Sequence, residues 1–218
     1  MKQFIVVGLG RFGASVARTL SEKGYDVMAI DKDEELIQDL SSSVTHAVQA
    51  NATDEEALKA LGVGNFDVAV VSIGADVHSN ILATLILKEL GVPYVVVKAQ
   101  NELHGKVLKK VGADKVVYPE RDMGHRIALN LISSNVLDFI EFAPDYSIME
   151  IIPPEEMVHQ SIGDLQLRSR FGVNVLAINR KNGRNNVIVS PSASDKIEQG
   201  DRLVVMGTNK QLNKLRDE

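Results

Sequence analysis

Apolar and polar positions along the chain follow two successive regimes. Up to about residue 118, short β-prone apolar runs alternate with segments of helical spacing. The runs fall at 4–7, 26–30, 45–49, 66–72, 94–98 and 116–118. Helical segments are predicted between them at about 14–23, 33–40, 55–61, 77–90 and 101–111. Phe66 to Ser72 is nearly all apolar, the pattern of a strand covered on both faces. Thr53 and Glu56 have the spacing of a capping box, which makes Thr53 the expected cap of the third helix. Alternating strands and helices at this density predict an α/β fold, a Rossmann-like doubly wound parallel sheet over 1–122 with right-handed crossovers.

The second regime begins past Pro119. A helix is expected over 123–137, with Ile127, Leu131, Ile132 and Leu137 among its apolar positions, and the apolar character continues through 136–142 to Ala143-Pro144. An apolar stripe placed where the first domain is already complete predicts a crossover or dimerisation segment, 123–143. After Pro144, strands are expected at 147–152, 174–179, 186–189 and 202–206. Helices are expected over 161–171 and 209–216, and Lys181-Asn182-Gly183-Arg184 reads as a turn between strands. The result is a small α+β C-terminal domain over 144–218, too small and plain for the substrate domain of a typical dehydrogenase.

Composition narrows the chemistry. Lys and Arg number 24 against 29 Asp and Glu, a net charge of −5, so no basic excess meets a nucleic-acid backbone. Cysteine is absent, which excludes disulfides, thiolate catalysis and cysteine metal sites. Tryptophan is absent too and aromatics make up 5 %, leaving few stacking platforms for single strands. The opening MKQFIVV enters a strand directly, without the apolar region of a signal peptide, and no apolar stretch is long enough to span a bilayer.

Against this background one motif carries chemistry. Gly8, Gly10 and Gly13 have the spacing G-x-G-x-x-G between a strand and a helix. Gly8 permits the turn, Gly10 lets backbone approach a pyrophosphate, and Gly13 lets helix and strand pack closely. Asp31 ends the second strand, where a carboxylate would accept ribose hydroxyls and would repel a 2′-phosphate. Arg11 sits inside the loop where phosphates would lie, with Phe12 beside it. Lys32, the trio Asn51, Ala52 and Thr53, the pair Ser72 and Gly74 with Ala75, and Lys98 all lie at carboxyl ends of strands, the ligand edge of such a sheet. Glu120 follows the last of these strands, where an acid either caps a helix or holds a hard cation near phosphates. His78 and His104 fall near that edge, and His46 falls within a strand. No histidine shows metal-ligand spacing and no serine sits in a nucleophile elbow. An NAD(H)-dependent oxidoreductase or an NAD(H)-binding redox sensor stays open as the alternative.

Together, VVGLGRFG, AIDKD, QANATDEE, SIGADVHSN, VKAQNELHGKVLKKVGAD and VVYPERDMG resemble the nucleotide-binding RCK (KTN) domain of bacterial potassium uptake regulators of the Ktr/Trk type, the TrkA family. SIGDLQLRSRFGVNVLAINR and IEQGDRLVVMG resemble the accompanying TrkA-C domain, so the resemblance covers essentially the whole chain. It implies regulation rather than catalysis, by a cytoplasmic protein peripheral to the inner face of the plasma membrane. Homodimers would assemble into an octameric ring beneath a dimeric membrane potassium-translocating subunit (KtrB/KtrD-like). ATP and ADP would compete for the first domain, with ATP activating. Gly8, Gly10, Arg11, Gly13, Asp31, Asn51, Ala52 and Thr53 would contact nucleotide, and Arg11 would reach a terminal phosphate. Glu120 falls on the family's intersubunit cation position, for Mg, Ca or Na. Cyclic di-AMP would bind the second domain, where Arg168, Asn174, Val175 and Ala177 lie in the corresponding segment.

Overall fold

The computed structural model describes residues 2–74, 76–132, 136–180 and 186–216. The chain divides into two compact units, Met1–Glu120 and Arg121–Glu218.

In the first unit, six parallel strands are β1 (Gln3–Val7), β2 (Asp26–Asp31), β3 (His46–Gln49), β4 (Val68–Val71), β5 (Tyr94–Lys98) and β6 (Lys115–Val117). They lie in the order β3-β2-β1-β4-β5-β6, so the chain reverses its winding direction between β1 and β4. The connecting helices are α1 (Arg11–Glu22), α2 (Glu34–Ser41), α3 (Glu55–Ala60), α4 (Val77–Glu89) and α5 (Glu102–Lys110). Alternate strand residues enter opposite cores. Ile5 and Val7, Met28 and Ile30, and Ala69 and Val71 face one cluster, with Leu58, Leu87 and Leu108 from α3, α4 and α5. Val6, Val27, Ala29 and Val70 face the other, with Ala17 and Leu40 from α1 and α2. A two-residue period buried on both sides is why these strands read as continuous apolar runs. Ile30 is fully buried, and truncating it to alanine would cost about 2–5 kcal/mol.

Helix α6 (Pro119–Ile132) follows, then β7 (Val136–Ala143) and β8 (Tyr146–Ile151). The expected helix to residue 137 is thus corrected. It starts earlier, at Pro119, and the continuing apolar run of 136–142 is a strand paired antiparallel with β8. β-branched and aromatic residues in Val136-Leu137-Asp138-Phe139-Ile140 suit a pleated strand better than a helix. The second sheet has five antiparallel strands, β10-β9-β11-β8-β7, with β9 (Asn174–Arg180), β10 (Asn186–Val189) and β11 (Arg202–Thr208). Helices α8 (Leu167–Phe171) and α9 (Asn209–Arg216) contribute Leu167, Phe171, Leu212 and Leu215 to a core with Ile178, Leu203 and Val205 from the sheet. The expected helix over 161–171 is broken. α7 (Ile162–Leu165) ends at Gln166, which takes a left-handed φ of 45° before α8 begins. The turn expected at 181–184 and Ala75 lie outside the described residues.

Candidate functional site

At the carboxyl edge of the first sheet lies a cavity of about 530 Å³, within the range of small-molecule sites. Its position follows from the topology. The connections leaving β1 and β4 diverge to opposite faces of the sheet and leave a crevice between them.

The floor is the glycine turn. Gly8 has φ 86° and donates its amide to the Ile30 carbonyl at 2.9 Å, and a Cβ there would stand 2.9 Å from the Ile73 backbone nitrogen. Gly13 does not line the cavity. Its missing Cβ makes room for the Gly8 carbonyl, which would lie only 1.9 Å away, and for the Ser72 hydroxyl, which donates to that carbonyl at 2.5 Å. Gly10 is different, because a Cβ there would meet nothing within 4 Å. The protein's own packing does not require glycine at position 10, whereas close approach of a ligand to the backbone does.

Helix α1 starts at Arg11, directly on this turn. Helices α2, α3, α4 and α5 are each capped by a side chain, from Asp33, Asp54, Asp76 and Asn101. α1 has no side-chain cap and no acidic residue in its first turn. Its first amides and the positive end of its dipole therefore face the cavity ready for an anion.

At the other end stands Asp31. One carboxylate oxygen accepts the Leu9 amide at 2.6 Å and the other the Asp33 amide at 3.0 Å. These bonds fix the carboxylate while leaving each oxygen a further lone pair for hydroxyl donors. Lys32, Asn51, Ala52 and Thr53 line the same end. Thr53 is not the cap of α3. Asp54 takes that role, accepting the Ala57 amide at 3.1 Å, because it directly precedes the first helical turn. The Thr53 amide and hydroxyl instead donate to Asn51 Oδ1, at 3.1 and 2.9 Å.

The third group closes the end of the cavity beside the start of α1. Arg11, Phe12, Ser72, Gly74, Lys98 and Glu120 line it. The Lys98 ammonium pairs with the Glu120 carboxylate and lies 5.9 Å from the centre of the Phe12 ring. Glu120 is held below the ordinary carboxylate range, first by its hydrogen bond from Lys98 and also by the charge of Arg11, with partial burial opposing them. Buried Asn80 donates to the Ile73 carbonyl at 2.8 Å and the Lys98 carbonyl at 3.2 Å, tying together the ends of β4 and β5. The Gln100 side-chain amide donates to the Gly74 carbonyl.

The structure thus brings together Gly8, Gly10, Arg11, Phe12, Asp31, Lys32, Asn51, Ala52, Thr53, Ser72, Gly74, Lys98 and Glu120, while Gly13 packs behind the wall. It adds Ile30, Leu36, Ala50 and Ile73 as apolar lining, with Asp33, Asp76 and Ser79. Asp76 was legible in the sequence as a strand-to-helix residue of the same kind as Asp33 and Asp54. Its carboxyl is lowered by bonds from the Ser79 hydroxyl and backbone, then by the amide and charge of His78. Neither His78 nor His104 lines the cavity. His78 is exposed and His104 is buried in α5, with its pKa lowered by burial. Among the described residues, no group of three or more His, Asp or Glu side chains converges on a possible metal. In the second unit, Arg168 lies on α8, and Asn174, Val175 and Ala177 on β9. No helix among the described residues is long and apolar enough to cross a membrane.

A six-stranded parallel sheet with a glycine turn, an uncapped helix and a carboxylate fixed at the end of the second strand defines a Rossmann-type nucleotide-binding domain, here followed by a small antiparallel module. The TrkA-N domain matches residues 4–119 and the TrkA-C domain residues 147–218. The chain belongs to the TrkA family, together with the Ktr system potassium uptake proteins. It is 48 % identical over 207 residues to Ktr system potassium uptake protein C of Bacillus subtilis, covering 95 % of this chain and 92 % of that one. Ktr system potassium uptake protein A of the same organism is 43 % identical over 217 residues, covering 100 % and 96 %. Among solved structures, the GsuK channel bound to NAD superposes with a TM-score of 0.69 at 17 % identity. That match covers 98 % of this chain but only 38 % of the GsuK chain, and it bears on the fold alone.

Proposed function

We propose that this chain is a non-catalytic, cytoplasmic gating subunit of a potassium uptake system, controlled by the adenine nucleotide in its first domain. The carrying observation is the contrast at the glycine turn. Four neighbouring helices are capped by their own side chains, whereas α1 presents free amides beside the vacant side-chain position of Gly10. Such a surface suits phosphates, and Asp31 suits a ribose that carries both hydroxyls. The names and near-complete coverage of the Bacillus relatives support the transport role.

In this reading residues 1–122 bind nucleotide, 123–143 pair two copies, and 144–218 form the regulatory module. Met123, Ile127 and Leu131 recur at four-residue spacing on α6 with half or more of their surface exposed, which suits a helix-to-helix contact between copies. Leu103 and Val107 make a second exposed apolar pair on α5. A ring needs two different self-contacts, and these surfaces favour dimers assembling into an octamer on a membrane potassium-translocating partner. A cation at Glu120 needs further oxygens, from phosphates or from a second copy. Cyclic di-AMP belongs to the second domain, at the segment of Arg168 and Asn174.

ATP activates relative to ADP when the two ring shapes bind it unequally. Arg11 is the residue placed to read the extra phosphate. Calorimetric titration with ATP, ADP, NAD and NADH tests this. ATP and ADP should bind, and Arg11→Ala should narrow the difference between them while leaving adenosine affinity within about twofold. Tight NADH binding with no ATP or ADP binding would replace this reading by the redox sensor.

A further inference from the structure

The phosphate end of the cavity contains an arrangement that a nucleotide-binding role does not by itself require. Of its basic side chains, Lys98 is already neutralised by an acid from another element, Glu120. The other lining acids are committed to backbone amides. Asp31 holds Leu9 and Asp33, Asp33 caps α2, and Asp76 caps α4. Glu120 instead reaches across to Lys98 from the second residue of α6, the helix by which the chain leaves the first unit.

The two partners differ in freedom. The Lys98 side chain is 15 % exposed and that of Glu120 is 70 % exposed. The Lys98 ammonium lies 5.9 Å from the centre of the Phe12 ring and 3.8 Å from where a Cβ on Gly74 would stand, and the Lys98 carbonyl is held by Asn80. Glu120 is free to swing into solvent and Lys98 is not. Glu120 holds the solvent side of this pair, so a doubly charged terminal phosphate beside Lys98 can displace the single carboxylate.

We propose that Lys98 and Glu120 form an internal latch that a nucleotide phosphate opens by partner exchange. The phosphate takes Lys98, and the released Glu120 unties the first turns of α6. Lys98 is thus a positioning residue for α6 as well as a phosphate contact. The latch makes the second unit's connecting helix sensitive to phosphate rather than to adenine. Nothing covalent changes, and the carboxylate stays ionised throughout. This inference rests on the nucleotide reading above.

Hydrogen exchange by mass spectrometry over residues 120–127 tests it, on the full chain in EDTA with saturating adenosine or ADP. In the wild type, ADP should accelerate exchange there roughly two- to fivefold while adenosine leaves it unchanged, the range set by a weak exposed ion pair. Lys98→Gln and Glu120→Gln should each show the fast exchange without ligand and no further response to saturating ADP. Equal effects of adenosine and ADP in the wild type, or an undiminished ADP response in Lys98→Gln, would overturn the latch and leave the nucleotide reading intact. Failure of both adenosine and ADP to bind in calorimetry would overturn the two together.

Discussion

Gly10 and Gly13 share one motif and separate two kinds of requirement. At Gly13 an added Cβ would press on the Gly8 carbonyl at 1.9 Å, backbone that cannot yield. Gly13→Ala should therefore lower unfolding stability by about 3 kcal/mol or more, measured by urea denaturation. At Gly10 the same methyl enters open space with φ −59°, which alanine adopts readily. Gly10→Ala should leave stability within about 0.5 kcal/mol yet weaken ADP binding about tenfold, the loss of about 1.4 kcal/mol of phosphate contact. Equal loss of stability in both variants would mean that the turn serves folding alone. The motif was visible in the sequence, but this division of labour was not. Spacing gives the turn, and only the contacts of Gly8 and Ser72 reveal which glycine is enclosed. Thr53 shows the same limit. Its capping-box spacing was met, but Asp54, one position closer to the helix, took the cap and left Thr53 to the cavity.

Among the elements, α5 carries a buried titratable group. His104 accepts the Gln100 amide on Nδ1 at 3.3 Å, and its Nε2 has no hydrogen-bond partner among the described residues. Burial lowers its pKa from the ordinary 6.5. The unfolded chain then binds more protons than the folded one below about pH 6.5, so this contribution to stability is full above that pH and is lost as pH falls toward the folded pKa. Urea midpoints should fall between about pH 7 and about pH 5. His104→Leu should flatten that slope whatever its absolute stability, and an unchanged slope would remove His104 as the cause. Helix α6 carries a different prediction. Ile127→Asp should shift the protein to smaller assemblies in light scattering while ADP affinity stays within about twofold. An unchanged mass would clear α6 of a pairing role. Six strands and five helices of the first unit were legible because a parallel sheet buried on both faces writes long apolar runs. The helix expected over 123–137 was misjudged where that signal ends, since it runs over Pro119–Ile132 and a strand follows from Val136. An apolar run of seven or eight residues suits a strand or a helix equally, and pairing with β8 decides between them.

For the whole molecule, the proposed function assigns sensing to the first unit and response to the second. The first unit places two basic groups, Arg11 and Lys98, in the cavity at the reversal point of its sheet, with Glu120 of the first turn of α6 beside them. The fold and the residues gathered at the cavity edge followed from periodicity and strand ends. The apolar lining, Ile30, Leu36, Ala50 and Ile73, did not, because a core residue and a pocket wall are the same residue type in sequence. Regulation is therefore a claim about coupling, and coupling is read only with a membrane partner present. The direct measurement is potassium flux into proteoliposomes that hold the membrane translocating subunit together with this chain. The account predicts higher flux with ATP than with ADP, and loss of that difference in Arg11→Ala. Equal flux with both nucleotides in the wild type would contradict it.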